Sequence, residues 1–390
     1  MSGTSLVVAT SALVGFSLAT DKTYASLAFA SMLLATMFTS IPAAMLMERI
    51  GRKAAFLIAV CIALAGAIIC SIAILQHLFS LYILGSILLG IFSGFANYYR
   101  FTAADNVDNE HKSRAISYVL AGGVLAAIIG PNLANYTRDV FSDAAFAGSY
   151  ASMIVLYLLS FLLLLRLDLP HQYDPVVSRQ NKSGRPMMVI ALQPRFIIAV
   201  ICATLGYAIM SLVMTATPLA MHHHTHPFSD TSFVIQWHVL GMFVPSFFTG
   251  SLIRRFGILP VLLSGALASL ACVIINLNGT TVLHFWSALL LLGIGWNFLF
   301  IGATTLLTET YAQEERFKAQ ATNDFIVFSV VSSASLSAGV LQHQYGWQLV
   351  NYAAIPAIII ILISLALLYK ISHSGGINSD KEALQDAANP

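Results

Sequence analysis

A stripe of small and polar residues runs along one predicted helix and ends in an arginine. Its members recur at spacings of four, three, four and three residues, which places them on one helix face; they are Ser86, Gly90, Ser93, Asn97 and Arg100. A guanidinium inside an apolar segment costs roughly 2.5–3.5 kcal/mol at a helix centre, so it usually faces a polar cavity or reaches the surface. The stripe therefore suits either a water-lined cavity, where Arg100 would hold an anionic group of a substrate, or a tight helix interface with a snorkelling arginine.

Histidine offers a second kind of chemistry, because its side chain titrates near neutral pH and its ring nitrogens bind metals. One predicted outer loop carries four histidines, namely His222, His223, His224 and His226. This loop is a weak candidate for a divalent-metal or pH-sensing site, and a solvated polar turn is the alternative. His238, in the next helix, is predicted to be either a cavity residue and proton carrier or a hydrogen-bonded packing residue.

Aromatic and amide side chains near the middle of two further helices could complete a binding cavity. Tyr207 lies on one of these helices, and Trp296 and Asn297 lie on the other. Together they would supply an aromatic wall with polar groups, to which Met210 would add an adaptable surface. Plain packing is the alternative for each of them.

The elements that position these side chains are membrane helices. Of the 390 residues, 58% are hydrophobic and only 9% are charged, whereas soluble domains carry about 25% charged residues. The four cysteines form no CxxC pair, so neither a disulfide framework nor a thiolate metal site is indicated. The sequence has no Walker A loop, HExxH motif or recognisable Ser/His/Asp set. We therefore expect no enzyme, no cofactor and no nucleic-acid partner.

Apolar runs long enough to cross a bilayer predict an all-α membrane protein with twelve spans in two six-helix bundles. The expected spans are 2–20, 24–47, 54–75, 80–103, 114–136, 148–166, 194–220, 233–252, 259–277, 281–306, 319–341 and 348–370. The bundles would occupy residues 1–166 and 194–371. A cytoplasmic linker, 167–193, with a short surface helix near 187–192 would join them, and 372–390 would form a cytoplasmic tail.

The basic residues predict which side faces the cytoplasm. If both termini are cytoplasmic, all of the 19 Lys and Arg residues except Lys22, Arg138 and Arg100 fall on the cytoplasmic side. Cytoplasmic loops carry an excess of Lys and Arg, so this orientation is favoured. No cleavable signal peptide is expected, because the opening segment lacks a basic region. We predict a multi-pass protein of a bacterial inner membrane.

The two halves of the chain contain a repeat. The segment that ends in Arg49-Ile50-Gly51 matches the one that ends in Arg255-Phe256-Gly257 at an offset of 206. The loops at 110–115 and 314–319 match at an offset near 204. Parallel repeats about an axis along the membrane normal are a transporter architecture, with the binding site between the repeats.

The first loop of this repeat resembles that of the major facilitator superfamily, which typically reads G-x-L-A-D-R-x-G-R-K. The chain keeps the leucine, acid, arginine, glycine and basic pair of that pattern as Leu46, Glu48, Arg49, Gly51, Arg52 and Lys53, with Ala44 in place of the first glycine. The resemblance implies that this loop helps to lock the two halves together on the cytoplasmic side. The second copy has Arg254 where an acid would stand.

Asp324, in the first turns of span 11, completes the predicted lock. It would cap its own helix or pair with Arg49 or Arg52, since a helix N-terminus favours an anion. A proton-binding role is the alternative. In span 5, Gly130-Pro131-Asn132 partly resembles the G-x-x-x-G-P element of antiporter branches, with Ala126 where the first glycine would stand. This element slightly favours export.

The resemblance implies a secondary active transporter of a small organic solute, working by alternating access between its two halves. We expect proton linkage, export and a monomer in the lipid bilayer. One alternative is an importer of a nutrient or metal chelate. Another is a membrane sensor or scaffold that binds a ligand without moving it.

Overall fold

The computed structural model describes residues 1–99, 102, 112–167, 185–312 and 315–387. Helices make up almost all of these residues, and no strand occurs among them. The first half contains α1 (Ser2–Leu18), α2 (Leu27–Ile50), α3 (Arg52–Leu75), α4 (Phe79–Ala96), α5 (Lys112–Thr137) and α6 (Ala147–Arg166). A short 3-10 helix, Lys22–Tyr24, joins α1 to α2.

The second half begins with the short helix α7 (Met187–Ala191), where the sequence predicts a surface helix. Six longer helices follow: α8 (Pro194–His223), α9 (Phe228–Phe243), α10 (Ser246–Phe256), α11 (Ile258–Asn278), α12 (Val282–Thr308) and α13 (Arg316–Ala387). α13 consists of two helices that meet at Gly346, whose φ of 79° breaks the helical path.

Among the described residues, eight helices are long and apolar enough to cross a membrane, or nine when α9 and α10 count as one bent span. Counting α1, α5 and both arms of α13 as separate spans brings the number to the predicted twelve. The predicted span 233–252 is not one straight helix, because α9 and α10 meet at an angle of 43° before Pro245. Proline removes one helical hydrogen bond and commonly produces such a kink.

Two glycines show the predicted repeat directly in the backbone. Gly51, between α2 and α3, has φ 83° and ψ 157°, and Gly257, between α10 and α11, has φ 87° and ψ 167°. A side chain is strained at such positive φ values, so both turns require glycine. The same turn therefore recurs 206 residues later, as the sequence repeat predicts.

A second pair of glycines brings helix backbones into contact at matching places in each half. A Cβ added to Gly90 on α4 would lie within 3.0 Å of the Met32 carbonyl oxygen on α2. A Cβ added to Gly293 on α12 would meet the His238 carbonyl oxygen on α9 in the same way. Close backbone approach at small residues is how membrane helices pack tightly.

Hydrogen bonds join the two halves near one end of the bundle. We call the end with Gly51 and Arg185 the linker end, and the end with Lys22 and Gly346 the histidine end. Near the histidine end, Ser26 on α2 donates to the Leu336 carbonyl at 3.0 Å and accepts from the Gly339 N–H at 3.2 Å.

α5 and α9 are also joined near the histidine end. Asn132 donates to the Gln236 side-chain oxygen at 2.6 Å, and the Ser232 hydroxyl donates to the Pro131 carbonyl at 2.7 Å. Polar contacts of this kind between membrane helices are worth roughly 0.6–2 kcal/mol each. These hydrogen bonds therefore help to hold this face of the two halves closed.

Gly293→Ala tests the backbone contact between α12 and α9. Its methyl group would overlap the His238 carbonyl, and overpacking of this kind costs about 1–3 kcal/mol, so the purified protein should melt at a lower temperature. Gly250→Ala on α10 is the matched control, because nothing lies within 4 Å of its added Cβ. The control should be neutral or slightly stabilising, by at most about 1 kcal/mol of helix propensity. Equal melting temperatures for the two variants would contradict the contact.

Candidate functional site

Four aromatic rings from three helices meet halfway along the second bundle. Tyr207 on α8 packs edge-on against Trp296 and Phe300 on α12, with centroid distances of 5.3 and 5.9 Å. Trp296 and Phe300 stack at 5.0 Å with an interplanar angle of 10°. Phe328 on α13 lies 6.1 Å from the Tyr207 ring. We call these four residues the aromatic cluster; all four side chains are partly exposed.

The neighbouring residues of α12 explain why its aromatic side chains point at α8. Gly293 lies on the face of α12 that packs against α9. Asn297 lies on the same face one turn later. Trp296 and Phe300 are four residues apart and therefore share another face, which meets Tyr207. The packing against α9 thus fixes the rotation of α12 and the position of the cluster.

Two polar atoms beside the aromatic cluster have no hydrogen-bond partner. They are the indole N–H of Trp296 and the hydroxyl of Thr204, which lies one turn before Tyr207 on α8. A buried polar group without a partner costs about 1–3 kcal/mol, so such groups commonly mark places where a ligand or water binds. The cluster can therefore stack on a flat ring and also exchange hydrogen bonds with it.

Asn297 lies next to Trp296 in sequence but faces away from the aromatic cluster. Its amide nitrogen donates to the Met242 carbonyl at 2.7 Å and to the Ser246 hydroxyl at 2.6 Å. Its oxygen accepts from the Thr249 hydroxyl at 2.7 Å. These contacts bridge α9 and α10 across the bend at Pro245. Asn297 thus holds the broken span together.

His238 on α9 is completely buried between helices. Its Nδ1 lies 2.8 Å from the Leu289 carbonyl, so the proton must be on Nδ1, and Nε2 has no partner. The ring is therefore held in one orientation by α12. The structure places it in helix packing, apart from the contacts of the aromatic cluster.

The predicted polar stripe of α4 divides into two parts. Ser86 is buried and donates to the Tyr82 carbonyl, and Gly90 meets the α2 backbone, so this part forms a helix interface. Ser93 is partly exposed and donates to the Leu89 carbonyl, while Asn97 is exposed at the end of α4. Arg100 lies outside the described residues.

The loop that resembles the family lock lies at the linker end. Gly51 makes the turn, Arg49 is exposed, and the Lys53 ammonium donates to the Leu165 carbonyl of α6 at 2.9 Å. Arg52 begins α3. The side chain of Glu48 lies outside the described part of the chain. Asp324 is exposed and accepts from the Asn323 amide at 3.1 Å, and it interacts electrostatically with Tyr98. Asp324, in the second half, therefore lies near Tyr98 of the first half.

The four histidines of the outer loop do not converge on one point. His226 contacts the Thr280 carbonyl through Nε2 at 2.7 Å, while the rings of His223 and His224 pack against each other. His222 instead approaches Phe16 of α1, at 5.9 Å between ring centroids. Among the described residues, no group of three or more His, Cys, Asp or Glu side chains could hold a metal ion.

An ion pair at the linker end was not predicted from the sequence. Arg185, just before α7, binds the Glu315 carboxylate through two side-chain nitrogens, at 2.9 and 2.8 Å, and through its own N–H at 2.7 Å. The Lys318 ammonium donates to the Arg185 carbonyl. These bonds attach the end of the linker to the loop before α13. The repeated loop at 110–115 and 314–319 was the available signal, but Arg185 lies 130 residues before Glu315 in the sequence.

Hydrogen bonding to Arg185 has an electrostatic consequence for Glu315. The bonds from the Arg185 side chain, followed by the bond from the Ala312 N–H, lower the pKa of Glu315 to about 2. Glu315 is therefore ionised throughout the physiological pH range. The attachment of the linker behaves as a permanent contact and not as a pH switch near neutrality.

Comparison with known proteins identifies the class that this fold and its repeat define. The sequence model of the family called the Major Facilitator Superfamily matches residues 1–335 and, in a second match, residues 200–387. The chain belongs to this superfamily and is an integral membrane transporter, not an enzyme.

Relatives and solved structures agree with that assignment. The riboflavin transporter RfnT of Brucella anthropi is 41% identical over 366 residues, which cover 94% of this chain and 92% of that protein. The MFS-type transporter YddS of Bacillus subtilis is 28% identical over 314 residues, covering 76% and 71%.

Two solved transporters share the fold at low sequence identity. A partially occluded inward open form of the xylose transporter XylE from E. coli has a TM-score of 0.68 at 11% identity, covering 93% of both chains. A variant of the nucleoside transporter NupG has a TM-score of 0.72 at 15% identity, covering 94% of this chain and 96% of that one.

Glu315→Gln tests the attachment of the linker, because it keeps the shape of the side chain and removes its charge. The variant should melt at a lower temperature than the wild type. A carboxylate whose folded-state pKa is lowered stabilises the protein above its unfolded pKa and loses this effect as the pH falls through the folded value. The difference in melting temperature between wild type and variant should therefore be constant above pH 4.5, the ordinary pKa of a glutamate. It should shrink as the pH falls toward about 2, the pKa of Glu315 in the folded protein.

Glu309→Gln is the control for this measurement. Glu309 pairs with Arg195 at 3.5 Å, but both side chains are nearly half exposed. Exposed pairs contribute little, so this variant should melt close to the wild type at every pH. A Glu315→Gln difference that persists unchanged at pH values well below 4.5 would contradict the assigned role of the carboxylate.

Proposed function

We propose that this transporter moves riboflavin, or a flavin of similar shape, across the membrane. The observation that carries the proposal is the aromatic cluster at mid-depth in a chain that is 41% identical to a riboflavin transporter over 94% of its length. Riboflavin is an uncharged molecule with a flat three-ring system and a chain of hydroxyl groups. It needs both a stacking surface and hydrogen-bond partners.

The cluster offers both kinds of contact. Offset-stacked and edge-to-face aromatic pairs are favourable, and the parallel rings of Trp296 and Phe300 present a flat surface with Tyr207 across one edge. The Trp296 N–H can donate to a ring carbonyl or nitrogen, and the Thr204 hydroxyl can donate or accept. The sequence predicted an anionic substrate because of Arg100. Riboflavin is uncharged and does not require that arginine.

Alternating access is the mechanism that this arrangement supports. The described hydrogen bonds of Ser26 and Asn132 hold α2 and α5 against the second half near the histidine end. Opening that end to the cluster would break these hydrogen bonds together with the ring contacts between the halves, such as those of Phe16 with His222 and His343, and would leave the helices within each bundle in place. We place the linker end in the cytoplasm, because Arg49, Lys53 and Arg185 lie there.

Proton linkage belongs to the proposal, with Asp324 as the candidate group because it is exposed and lies near Tyr98 of the first half, whereas His238 is buried in helix packing. An imposed pH gradient should therefore drive riboflavin across proteoliposome membranes until its concentration differs between the two sides. The sign of the difference also gives the direction of transport. Equal concentrations on both sides, with and without the gradient, would show that protons are not coupled to the substrate.

The direction of transport has to be measured, because the predicted export element does not determine it. The structure gives Gly130, the glycine of that element, a packing role. A Cβ on Gly130 would lie within 3.0 Å of the Ser2 carbonyl and the Leu6 N–H on α1. Close packing of α5 on α1 thus accounts for this glycine without any role in antiport.

Variants of the aromatic cluster test where riboflavin binds. Stacking of a base on an aromatic side chain is worth about 1–3 kcal/mol, so Tyr207→Leu and Trp296→Leu should each weaken binding roughly tenfold or more. Binding is measured by titrating purified protein into riboflavin and following its fluorescence. Tyr207→Phe keeps the ring and should retain most of the affinity.

Phe247→Leu on α10 is the control for loss of an aromatic ring, because its side chain is 49% exposed and lies outside the cluster. It should bind riboflavin as the wild type does. Affinities that are equal in Tyr207→Leu, Trp296→Leu and Phe247→Leu would move the binding site away from the cluster.

A further inference from the structure

A cavity of about 770 Å³ lies at the histidine end, apart from the aromatic cluster. It is lined by the end of α1, the last turn of α8, the turn between α11 and α12, and the break in α13 at Gly346. Its volume falls in the range of about 300–1,000 Å³ that is typical of small-molecule sites. None of the residues that line it is acidic.

Three buried polar atoms of the lining residues have no hydrogen-bond partner. They are Oδ1 of Asn276, Oε1 of Gln342 and Nε1 of Trp347, and these side chains are 2%, 8% and 5% exposed. Each such atom costs about 1–3 kcal/mol if it stays unpaired. Two acceptors and one donor, each on a residue that lines the same cavity, indicate a site that a polar ligand would complete once it reaches these buried atoms.

The side chains of Asn276 and Trp347 are held in place by other contacts, so their free atoms are preorganised. The Asn276 amide nitrogen donates to Oδ1 of Asn351 at 2.9 Å, and the Asn351 nitrogen donates to the Trp347 carbonyl at 2.9 Å. The Trp347 ring packs on Phe285 at 5.3 Å between centroids. On these two residues, the oxygen of Asn276 and the indole N–H of Trp347 remain without a partner. Preorganised groups bind at a lower entropic cost.

Aromatic rings and a cation complete the lining. Phe16 of α1 lies 5.9 Å from the His222 ring and 6.4 Å from the His343 ring, and the Lys22 ammonium lies 5.3 Å from the Phe16 centroid. Asp21 interacts electrostatically with His343. These rings come from both halves of the protein. A ligand in the cavity would therefore touch the contact between α1 and the second half.

We infer that this cavity is a second binding site for an uncharged heteroaromatic ligand with an imide-type edge. The site lies beside the contact between α1 and the second half. The ligand would offer N–H or O–H groups to the two amide oxygens and a carbonyl group to the Trp347 N–H. This inference rests on the proposed function, because riboflavin carries all of these groups. A cationic ligand would find Lys22 in the lining and no carboxylate among the described lining residues.

Two single substitutions each remove one of the three free polar atoms while they preserve the packing. Gln342→Met removes the acceptor at nearly constant volume, and Trp347→Phe removes the N–H and keeps an aromatic ring on Phe285. Gln344→Met is the matched control, since Gln344 is exposed and does not line the cavity. Circular dichroism and melting curves establish that each purified full-length variant is folded.

The readouts are binding stoichiometry and transport kinetics with radiolabelled riboflavin as the probe. Equilibrium dialysis of the wild type should show one equivalent more bound riboflavin than Gln342→Met or Trp347→Phe, and Gln344→Met should match the wild type. In proteoliposomes the first two variants should raise the KM several-fold and leave the maximal rate unchanged. These effects differ from those of Tyr207→Leu, which removes a ring of the aromatic cluster.

The outcomes separate this inference from the proposed function. Transport of riboflavin with unchanged stoichiometry and KM in Gln342→Met and Trp347→Phe would overturn the second site and leave the function standing. Binding that these variants reduce, in a wild type that does not transport riboflavin, would support the site and overturn the function. A wild type that neither binds nor transports riboflavin would overturn both.

Discussion

The contact between the backbones of α12 and α9 at Gly293 is the constraint on which the candidate site depends. A helix that approaches a neighbour through glycine can present only one face to it, so the rotation of α12 is fixed. Asn297 then falls on the face toward α9, where it bridges the bend, and Trp296 falls on the face toward Tyr207. Gly90 makes the equivalent contact in the first half, where the described rings of α4 pair singly with rings of α6, Tyr82 with Tyr150 and Phe92 with Tyr157.

Under the proposed function, this asymmetry within a repeated fold gives the two halves different tasks. The duplicated turns at Gly51 and Gly257 show that both halves were built on one pattern. The described ring contacts and free polar atoms, however, concentrate in the second half, both at mid-depth and at the histidine end. A substrate that passes between the halves would thus be held chiefly by α8, α12 and α13, while the first half closes against them.

Much of the fold could be predicted from the sequence because its signals are local. Apolar runs indicated the spans, the duplicated loops indicated the repeat, and residues 187–192 indicated the short surface helix that the structure has at Met187–Ala191. The bend between α9 and α10 was missed, although Pro245 was visible, since a proline in a membrane helix can also be accommodated without a break.

The site was harder to predict because its contacts join distant segments. Tyr207 and Trp296 were selected as separate candidates, but their meeting with Phe300 and Phe328 depends on the rotation of three helices. The hydrogen bonds of Asn297 and the pairing of Arg185 with Glu315 have the same origin, as neither partner identifies the other by spacing. Arg100 was the leading candidate in the sequence, and its place in the site stays a prediction.

Counterflow tests the central claim most directly, because it separates transport from mere binding. Proteoliposomes that contain the full-length protein are loaded with unlabelled riboflavin and diluted into a trace of labelled riboflavin. A transporter that alternates between two sides exchanges the two pools, so labelled riboflavin should accumulate transiently inside, and Trp296→Leu should reduce that accumulation. Binding of riboflavin without any exchange would mean that the protein is a sensor or scaffold and would contradict the account.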